Sequence, residues 1–574
     1  MARANDEAEA LLLEFTDLLS ILGEDRFKPR AYEKAARAVG GYHADIADFD
    51  IKQLIAIPAV GRSIADKVLE YLQTGSIHEL EELRARIPSG VRQLMSIPGV
   101  GPKKAMVLYQ EVGIGGVDDL REALEEHRLE GLKGFGAKTE ANILAGLEMM
   151  QRSGGRASLD AALDLAESLV AELSTVRGVD RCAYAGSLRR MCETIGDIDL
   201  LAACETPGPV MDRFTTLPEV ARILAHGETK SSIVTGEGRQ VDLRVVEPRV
   251  WGAALQYFTG SKAHNVRVRE MAVRRGLKLS EYGLFDAKTG KLVAAATEEG
   301  IYEKLGLPWM PATLREDHGE VEAGLKGDLP DVLRTEQIKG DLHTHTDLTD
   351  GLASLEEMLG AARGMKYSYL AVTDHAPDLA MHRMTDAKVL EQRSQIEELR
   401  ADSKMAILQG SELNIDPEGG VDWGPEFLSR FDMTVASVHS HFNQPKDEMT
   451  KRLIRAIENP WVNVIGHPTG RLIGRRDPID CDLEAVFEAA ARSGTALEIN
   501  CYPDRLDLKD EHILWALRHG VKFAVNTDAH STVDLSFTRF GVATAQRGWL
   551  TKEDVINAWP LAKLRRFLKK GHFR

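Results

Sequence analysis

The chain has 574 residues, of which 28% are charged and 43% are hydrophobic, and its formal net charge is −16. This composition is typical of folded protein and excludes a disordered, collagen-like or disulfide-stapled chain. At roughly 100–200 residues per domain, the length predicts about three to five domains, so one catalytic module would not account for the whole sequence.

The sequence does not indicate membrane insertion or secretion. No apolar run approaches the ~20 residues of a membrane span, and the acidic start MARANDEAEA lacks the pattern of a signal peptide. The five cysteines form no C-x-x-C pair, so we expect them to be reduced. We therefore expect a cytoplasmic chain with no membrane partner.

Three glycine turns in the first 150 residues resemble one another: Ile57-Pro-Ala-Val-Gly61, Ile97-Pro-Gly-Val-Gly101 and Leu132-Lys-Gly-Phe-Gly136. Each precedes a helical apolar pattern, which indicates repeats of a helix, a hairpin and a helix. A glycine turn that opens a helix offers backbone N–H groups and the positive helix end to a phosphate. A single turn of this kind is more typical of an ordinary helix connection, but three copies favour phosphate contact.

These turns resemble the helix-hairpin-helix motif, which holds the DNA backbone without reading its sequence. The resemblance predicts DNA contacts from Val60 and Gly61 in the first turn and from Gly99, Val100 and Gly101 in the second. For the third turn a purely structural role stays open.

A second pattern lies between residues 185 and 244. It consists of Ala185-Gly-Ser-Leu-Arg-Arg190, Gly196-Asp-Ile-Asp-Leu200 and Val241-Asp-Leu-Arg244. Asp197 and Asp199 are two residues apart on a predicted strand and therefore face one side, where Asp242 from a neighbouring strand can join them. Three clustered carboxylates need divalent cations, and two Mg²⁺ or Mn²⁺ ions suit in-line phosphoryl transfer. An isolated Asp-x-Asp pair is common on surface strands, but the flanking motifs favour a catalytic site.

This pattern resembles the nucleotidyltransferases, and specifically family X DNA polymerases such as polymerase beta. The resemblance extends over about residues 1–320 and includes Tyr257-Phe-Thr-Gly-Ser261. It implies that Asp197, Asp199 and Asp242 bind Mg²⁺ or Mn²⁺ and carry out nucleotidyl transfer. It also implies a nucleotide-binding set composed of Gly186, Ser187, Arg190, Gly196, Tyr257, Phe258, Gly260, Asn265 and Arg269.

Within that set, the family places the pair Tyr257 and Phe258 at the nucleotide sugar, Asn265 near the base and Arg269 on the template side. Tyr282 is implied to contact DNA. Taken without the Thr-Gly-Ser that follows, the two aromatic residues would be typical of a core pair.

The resemblance is incomplete at two places. Lys262 and His264 stand where polymerase beta has acidic and aromatic residues, so nucleotide binding is expected to differ from that of polymerase beta. Lys67 matches the lyase lysine of the family, which needs a depressed pKa to form a Schiff base with an abasic sugar. Because Ser63 stands where the family places a second lysine, phosphate contact or a helix-surface position is the favoured role of Lys67.

After residue 339, seven apolar runs recur, and each stops at a polar residue of a catalytic type. They begin at Asp341, Leu370, Ile407, Val435, Val462, Ala496 and Phe523. Helical stretches separate several of them, which predicts a barrel of parallel strands with its site at the strand C-terminal ends. Eleven of the seventeen histidines also lie in this part of the chain.

Nine side chains at or just beyond these strand ends are candidate metal ligands: His343, His345, Asp350, His375, Glu412, His439, His467, Asp528 and His530. Nine nitrogen and oxygen ligands without thiols predict a cluster of two or three Zn²⁺ or Mn²⁺ ions. Their order resembles the PHP (polymerase and histidinol phosphatase) superfamily over about residues 339–574, with every ligand position filled. The resemblance implies a distorted (β/α)7 barrel with a metal-dependent phosphoesterase site.

Other polar residues near the strand ends have weaker assignments. Asp374 is expected to orient a ligand, and the extra histidine His441 to be exposed and idle. Arg471, Arg475 and Arg505 follow barrel strands, where contact with the DNA backbone and solvated loop charge are equally compatible with the sequence.

The predicted fold is multidomain, with α-helical helix-hairpin-helix domains, an α/β nucleotidyltransferase palm and a C-terminal distorted (β/α)7 PHP barrel. The predicted bounds are 1–85 and 86–153 for the helical domains, 154–260 for the palm, 261–320 for a nucleotide-selection subdomain, 321–338 for a linker and 339–574 for the barrel.

Together the two halves resemble bacterial family X DNA polymerases with a C-terminal PHP domain. This resemblance implies a polymerase that fills short gaps in DNA repair, including base excision repair. It also implies a 3′–5′ exonuclease in the barrel, with abasic-site endonuclease as a further candidate activity. Gapped or nicked DNA and deoxynucleoside triphosphates are the implied substrates, other DNA repair proteins are candidate partners, and a nucleoid-associated location is expected.

Two alternatives stay open from the sequence. In the first, the barrel is a phosphoesterase and the polymerase half is only a DNA-binding platform, so that Asp199→Ala would leave every activity intact. In the second, the chain is a scaffold that recruits DNA to repair proteins, which a preparation unable to hold Zn²⁺ or Mn²⁺ would favour. Complete ligand sets in both halves favour the bifunctional enzyme.

Overall fold

The computed structural model describes the chain apart from residues 1–3, 23–27, 41, 43–44, 58, 88, 96, 98–99, 127, 130–131, 133, 137–138, 141–142, 145–146, 148–155, 380–383 and 570–574. The predicted multidomain class is confirmed: a helical region is followed by a mixed sheet, a smaller mixed subdomain and a barrel of parallel strands. Among the described residues, no helix combines the length and the apolar character that crossing a membrane requires.

The first part of the chain is helical and has one apolar core. Its helices are α1 (Ala4–Leu22), α2 (Lys28–Gly40), α3 (Ile51–Ile55), α4 (Arg62–Thr74), α5 (His78–Arg86), α6 (Ser89–Leu94), α7 (Pro102–Val112) and α8 (Val117–Glu125). Phe15 of α1 stacks on Tyr32 of α2 with a centroid distance of 4.7 Å. Leu80 of α5 and Leu108 of α7 lie in the same buried cluster, so the two predicted helical domains share their core.

Residues 156–250, called the palm below, contain a five-stranded sheet. The elements are β1 (Ala157–Ser158), α9 (Leu159–Ser174), β2 (Val179–Tyr184), α10 (Gly186–Arg189), β3 (Thr194–Ile195), β4 (Asp197–Cys204), α11 (Gly208–Thr215), β5 (Val220–His226), β6 (Lys230–Thr235), β7 (Gln240–Val246) and the 3-10 helix Pro248–Val250. The strand order is β2-β4-β7-β6-β5, and only β4 and β7 run parallel. Val241 and Leu243 of β7 are buried, which leaves Asp242 between them on the opposite face.

Residues 251–326, called the selection subdomain below, pack against the palm. The elements are α12 (Trp251–Thr259), α13 (Lys262–Arg274), β8 (Leu277–Ser280), β9 (Gly283–Asp286), β10 (Leu292–Ala294), α14 (Glu298–Lys304), the 3-10 helix Ala312–Leu314 and α15 (Glu320–Lys326). Glu298 accepts hydrogen bonds from the buried Arg315 at 2.6 Å and from Arg189 of the palm at 2.8 Å. Burial raises the pKa of Glu298, but the two guanidinium groups outweigh it and lower the pKa to about 2. The pairing fixes the subdomain to the palm.

The segment 321–338, predicted to be a linker, is packed in place instead. Val321 is buried in α15, and the fully buried Leu333 donates its N–H to the Leu550 carbonyl at 2.8 Å. Val332 also forms a β-bridge with Thr551 of the barrel. The polar composition concealed these contacts because only a few apolar side chains, such as Val321 and Leu333, anchor the segment.

The last part of the chain is a barrel of parallel strands. Its elements are the 3-10 helix Thr335–Gln337, β11 (Gly340–Asp341), α16 (Leu355–Gly364), β12 (Tyr369–Val372), α17 (Asp386–Asp402), β13 (Ala406–Gln409), β14 (Glu412–Asn414), α18 (Pro425–Leu428), β15 (Val435–Ser437), α19 (Lys446–Glu458), β16 (Val464–Ile465), α20 (Leu483–Ser493), β17 (Ala496–Asn500), α21 (Asp510–Arg518), β18 (Phe523–Asn526), the 3-10 helix Asp534–Phe537, α22 (Thr538–Arg547), the 3-10 helix Ile556–Ala558 and α23 (Leu561–Leu568). The parallel sheets β11-β12-β13 and β14-β15-β16-β17-β18 are joined by the bridges His375–Glu412 and Thr344–Ala529. Because only two residues separate β13 from β14, they act as one interrupted strand, and the barrel closes as predicted.

The palm packs directly on the barrel. Leu506 and Phe540 of the barrel lie in the same buried apolar cluster as Leu163 of α9. Leu506 belongs to the loop after β17, and Phe540 to the helix after β18. The barrel therefore meets the palm with the same strand ends that carry its candidate ligands.

Two candidate metal centres and a candidate DNA-binding face

Three aspartates of the palm lie together on β4 and β7. Because these strands are parallel and in register, Asp199 stands directly opposite Asp242, and Asp197 lies two residues earlier on the same face. Lys230 of β6 approaches Asp242 to 3.3 Å between Nζ and Oδ2, and Gln240 donates a hydrogen bond of 3.1 Å to its Oδ1. The structure brings the three predicted carboxylates to one place.

The three carboxylates repel one another. Burial and the charges of Asp197 and Asp242 raise the pKa of Asp199 to about 6, despite partial relief from Lys230 and Arg190. Burial also raises the pKa of Asp242, but hydrogen bonds and the Lys230 ammonium outweigh it and lower the pKa below its usual value. Oxygen donors under mutual repulsion fit hard divalent cations, which relieve that repulsion.

Two glycines around these strands have close neighbours. Gly186 has a φ of +61°, and a Cβ there would lie 2.3 Å from Asp199 Oδ2, so only glycine lets the loop pass beside the carboxylate. Ser187 follows in the same turn and is half-buried. At Gly196, next to the first aspartate, a Cβ would lie 3.0 Å from Arg156 Nη1. The backbone of the loop therefore packs against the Asp199 carboxylate.

Arg190 ends this loop and is held from the selection subdomain. Its Nη1 donates to the Thr259 carbonyl at 2.6 Å, and its Nε pairs with Glu316 Oε1 at 2.9 Å. A Cβ on Gly260 would lie 3.2 Å from Arg190 Nη1, so a side chain there would crowd the guanidinium. Arg190 is thus oriented before any ligand binds.

The predicted sugar and base contacts form one cluster. Tyr257 and Phe258 meet edge to face with centroids 5.2 Å apart, and Arg244 lies 5.3 Å from the Phe258 ring centre. Asn265 accepts a hydrogen bond from Gln256 Nε2 and donates one to the Tyr257 carbonyl, both at 2.7 Å. Asn265 therefore fixes the backbone of the aromatic pair, a contact that the sequence pattern does not reveal.

The departure from polymerase beta at His264 has an internal explanation. His264 is fully buried, with Nδ1 2.6 Å from Glu320 Oε1 and Nε2 2.8 Å from the Tyr302 hydroxyl. It faces the core of the subdomain, where it joins α13 to α14 and α15. Arg269 bonds to the backbone of the preceding helical turn, and Tyr282 is 60% exposed.

Lys67 lies in an electronegative site between helices. Its Nζ is 2.8 Å from Glu79 Oε2, and it stands 5.7 Å from the ring centre of Phe15 and 5.9 Å from that of Tyr32. Burial lowers the pKa of Lys67, but Glu79 and Tyr32 outweigh it and raise the pKa above its usual value. This arrangement keeps the ammonium charged, and its side chain is only 13% exposed, so it favours neither Schiff-base chemistry nor a helix-surface position.

The three glycine turns share one backbone geometry. In each turn the buried residue before the glycine donates its N–H to the carbonyl three residues earlier, and the glycine carbonyl accepts the first bond of the next helix. The first set of bonds joins Val60 to Ile57 at 3.1 Å, Val100 to Ile97 at 2.9 Å and Phe135 to Leu132 at 3.1 Å. Gly99 lies outside the described residues. The third turn is therefore a structural repeat of the first two.

Neither the backbone φ angle nor a close contact among the described residues requires glycine at Gly61 or Gly101. Their φ angles are −75° and −86°, and no heavy atom of the described residues lies within 4 Å of a Cβ at either position. Each is the N-cap of the following helix, α4 or α7, without a side-chain cap. An external group that approaches the helix end closely would explain the glycines.

Six histidines and three carboxylates converge at the C-terminal ends of the barrel strands, and Glu412 lies at their centre. Its Oε1 is 3.1 Å from both His439 Nε2 and His467 Nε2. Its Oε2 is 2.9 Å from His375 Nδ1 and 3.5 Å from His343 Nε2. One carboxylate can thus be shared among several ions.

Asp350 and Asp528 complete the cluster. Asp350 Oδ2 is 3.2 Å from both His375 Nε2 and His530 Nε2, and Asp528 Oδ1 is 3.1 Å from His345 Nε2. In three groups of residues, the ligand atoms of each group all lie within 4.8 Å of one another. The groups are His345, Asp350, His375 and His530; His343, His345 and Asp528; and His375, Glu412 and His439. The predicted ligands therefore lie close enough to hold a cluster of ions.

The protonation of the cluster also fits metal binding. Nδ1 of His345 and Nδ1 of His467 are buried and make no hydrogen bond with the described residues. Burial opposes the charge of His375, but Glu412 and Asp350 outweigh it and raise its pKa to about 10. Buried imidazole nitrogens beside ionised carboxylates are the donors of divalent metal sites, where binding releases the protons.

Glu498 supports the ligands and was missed by the sequence pattern. It is fully buried, with Oε1 2.8 Å from His343 Nδ1, and it accepts the backbone N–H of His467 at 2.7 Å. Asn526 Nδ2 donates to it at 2.9 Å. The available signal was a charged residue inside the apolar run Ala496–Asn500.

Asp374 orients a loop and not an imidazole. It accepts hydrogen bonds of 2.8 Å from both the N–H and the hydroxyl of Thr346, in the loop that leads to Asp350. The residue that orients an imidazole on this side is Asn414, whose Oδ1 lies 2.7 Å from His439 Nδ1. Asp374 therefore holds the loop that carries the candidate ligand Asp350 and contacts no imidazole through these bonds.

The arginines after the barrel strands have different surroundings. Arg471 is buried and reaches Glu193 of the palm at 2.7 Å, so it is a domain contact and not a free DNA-binding group. Arg475 is 72% exposed. The carbonyl of Arg505 accepts a bond from Arg471 Nε at 2.9 Å. His441 is exposed, with Nδ1 3.0 Å from a neighbouring serine hydroxyl.

Comparison with known families supports the division of the chain. It matches a Helix-hairpin-helix domain over residues 3–77, a SAM-like Helix-hairpin-helix tandem over 91–149, the DNA polymerase beta thumb over 254–316 and the PHP domain over 341–501. The thumb match covers most of the selection subdomain.

Relatives match the whole chain and each of its halves. DNA polymerase/3'-5' exonuclease PolX of Bacillus subtilis (strain 168) is 36% identical over 557 residues, covering 96% of this chain and 97% of the relative. DNA polymerase lambda of Rattus norvegicus is 26% identical over 52% of this chain and 55% of its own length. A probable phosphatase of Thermoanaerobacter sp. (strain X514) is 31% identical over 40% of this chain and 94% of its own length. The chain belongs to the family X DNA polymerases that carry a PHP domain.

Proposed function

We propose that this chain fills short gaps in DNA with the palm and trims 3′ ends with the barrel. The Bacillus subtilis relative, which matches nearly the full length, is named for both activities. The observation that carries the proposal is that each half holds a complete ligand set in one place: Asp199 opposite Asp242 in the palm, and the histidine cluster around Glu412 in the barrel.

In the palm, Asp197, Asp199 and Asp242 would hold two Mg²⁺ or Mn²⁺ ions, which supply charge stabilisation during in-line nucleotidyl transfer. The loop at Gly186 brings its backbone next to the Asp199 carboxylate, where a Cβ would lie 2.3 Å from Oδ2, and triphosphate oxygens would bind beside this loop. Arg190, anchored by its neighbours, would neutralise the charge of the triphosphate. These roles are supported by proximity: the charge of Arg190 is near enough to influence the pKa of Asp199.

In the barrel, two or three Zn²⁺ or Mn²⁺ ions held by the nine ligands would polarise a phosphodiester and activate water. Glu412 contacts several imidazoles and so keeps the ligand groups at short separation. Glu498 holds both the ring of His343 and the backbone of His467, which fixes their directions. We propose 3′–5′ exonuclease as the main reaction and abasic-site cleavage as a second one.

The helical region would bind the backbone of gapped or nicked DNA. The support is the pair Gly61 and Gly101, which open helices and have free space where a side chain would be. Backbone N–H groups at such helix ends bind phosphate without reading the base sequence.

The proposal is tested with a 5′-labelled primer on a one-nucleotide gap in Mn²⁺, with and without deoxynucleoside triphosphates. We expect Asp199→Ala to lose extension only and His343→Ala to lose shortening only. Two variants are matched controls and should keep both activities: Asp180→Ala, on the exposed part of β2, and His441→Ala, an exposed histidine of the barrel.

The two failures point to different errors. Extension by Asp199→Ala would overturn the polymerase centre, and a wild type that does not extend would favour a phosphoesterase that uses its first half as a DNA-binding platform. Shortening by His343→Ala would overturn the barrel as the nuclease. The same His343→Ala variant on a duplex with one abasic site decides whether the barrel also carries that cleavage.

A further inference from the structure

Arg547, the last residue of α22 in the barrel, joins three parts of the molecule. Its Nη1 donates to Glu316 Oε1 at 2.8 Å, at the end of the thumb match, and to the backbone carbonyl of Arg190 in the palm at 2.9 Å. On its other side, Nε and Nη2 pair with Asp510 of α21 at 2.8 and 2.6 Å. The Arg547 side chain is only 11% exposed. Its guanidinium is therefore held by Asp510 of the barrel on one side and contacts Glu316 and the Arg190 backbone on the other.

Glu316 is shared by two arginines. Its Oε1 accepts from Arg547 at 2.8 Å and from Arg190 Nε at 2.9 Å. Burial raises the pKa of Glu316, but the two guanidinium groups outweigh it and lower the pKa below its usual value. The shared carboxylate is therefore ionised, and it orients Arg190 together with the Thr259 carbonyl.

Four ion-paired side chains run from the barrel to the palm, and their charges alternate: Asp510, Arg547, Glu316 and Arg190. If Arg547 lost its charge, the carboxylate of Glu316 would be offset by Arg190 alone. The positive potential that Arg190 presents beside Asp199 would then fall, and its backbone carbonyl would lose a donor. The pairing thus couples a barrel residue to the electrostatics of the palm.

We propose that Arg547 is a positioning residue for nucleotide addition, because it holds the Arg190 backbone and shares the charge of Glu316, so that the Arg190 guanidinium stays oriented and only partly neutralised for a triphosphate. This inference rests on the proposed function, in which Arg190 binds the triphosphate. It makes the barrel a structural part of the polymerase centre in addition to its own hydrolytic role.

The test is single-nucleotide gap filling by the full chain over a range of triphosphate concentrations, with shortening measured on the same preparations. Arg547→Gln is expected to raise KM for the triphosphate by about tenfold with a smaller change in kcat, because the lost charge acts on the bound substrate. Shortening should be unchanged, which also reports that the barrel is folded. Arg547→Lys keeps the charge but not the planar set of donors of a guanidinium. Its KM should therefore lie between that of the wild type and that of Arg547→Gln.

Arg539 provides the matched control. It lies on the same helix and also bridges to the palm, but it pairs with Asp164 at 3.2 Å and Glu167 at 3.6 Å on α9. Arg539→Gln is therefore expected to leave KM unchanged. An unchanged KM in Arg547→Gln would overturn the inference, as would an equal loss of both activities in Arg547→Gln and Arg539→Gln.

Arg190→Gln separates this inference from the proposal beneath it. A raised KM in Arg190→Gln together with a normal KM in Arg547→Gln would overturn the role of Arg547 alone. A normal KM in Arg190→Gln would overturn the triphosphate role of Arg190 and, with it, this inference.

Discussion

Arg471 of the barrel and Glu193 of the palm form an ion pair of 2.7 Å between Nη2 and Oε2, although they are 278 positions apart in the chain. Arg471 lies four residues after the candidate ligand His467, and Glu193 lies four residues before Asp197. Arg471 also donates to the Leu506 carbonyl at 2.5 Å, within the apolar contact of the two domains. The loops that lead to the two candidate centres therefore meet at one pair.

This pair should contribute to the docking of palm on barrel. We expect Arg471→Met and Glu193→Gln each to lower stability, and a double-mutant cycle in urea unfolding to give a coupling of about 1 kcal/mol, since Glu193 is still 42% exposed. Additive effects of the two substitutions would show that the pair contributes nothing. Arg475→Met, at an exposed arginine of the same loop, is the control.

Glu498→Gln should weaken metal binding in the barrel and leave the palm unaffected. The amide cannot accept from both the His343 ring and the His467 backbone, so the two ligands lose their fixed directions. Loss of such a supporting contact lowers metal affinity by roughly 10–100-fold. A Mn²⁺ titration of shortening activity measures the shift, and excess Mn²⁺ should restore the rate.

Glu320→Gln is the matched control for this change. Glu320 is also a fully buried carboxylate paired with a histidine, His264, but it lies in the selection subdomain. Both variants are expected to lose stability, and only Glu498→Gln should need more Mn²⁺. An equal Mn²⁺ requirement in the two variants would contradict the supporting role of Glu498.

The barrel was predictable because its sequence pattern is local. Each apolar run ends at a polar residue, and parallel strands bring their C-terminal ends to one edge, so residues as distant as His343 and Asp528 could be grouped without coordinates. Asp197 and Asp199 of the palm were predictable for a similar reason, since residues two apart on a strand share a face.

What the sequence could not supply were contacts between distant segments. Glu498 lies inside an apolar run, and its partners become apparent only when the strands are adjacent. Arg547 and Glu316 are 231 positions apart and carry no motif. The buried pairing of Lys67 with Glu79 and the packing of Leu333 in the predicted linker likewise depend on tertiary structure.

The palm carboxylates predict a pH-dependent gain of stability in Asp199→Asn. In EDTA, the pKa of Asp199 rises from its usual 3.8 to about 6 on folding, so the folded state binds the proton more tightly than the unfolded state. The wild type is therefore destabilised as pH rises from about 4 to about 6, and the asparagine variant avoids this loss. We expect an advantage of about 3 kcal/mol at pH 8 that becomes small near pH 4.

Thermal melting of both proteins in EDTA across this pH range measures the effect. Adding Mn²⁺ should stabilise the wild type more than Asp199→Asn, because the ion relieves the repulsion that the substitution removes. A gap in melting temperature that stays constant with pH would contradict mutual repulsion as its cause.

The last prediction concerns the glycine turns. Gly61→Val and Gly101→Val place a side chain in open space at an allowed φ, so the fold should tolerate both. If DNA phosphates approach these helix ends, each substitution should weaken binding to gapped DNA by roughly tenfold, the loss of one phosphate contact. Binding is measured by fluorescence anisotropy at fixed salt, because the phosphate contribution depends on ionic strength.

Gly116→Val is the control for these substitutions. Gly116 is also an uncapped helix N-cap with open space around a Cβ, but it opens α8, whose first turn contains Asp119. A phosphate would be repelled there, so Gly116→Val should bind DNA as the wild type does. Weakened binding in all three variants would mean that the substitutions act through the fold of the helical region, and normal binding in all three would remove the turns from the DNA-binding face.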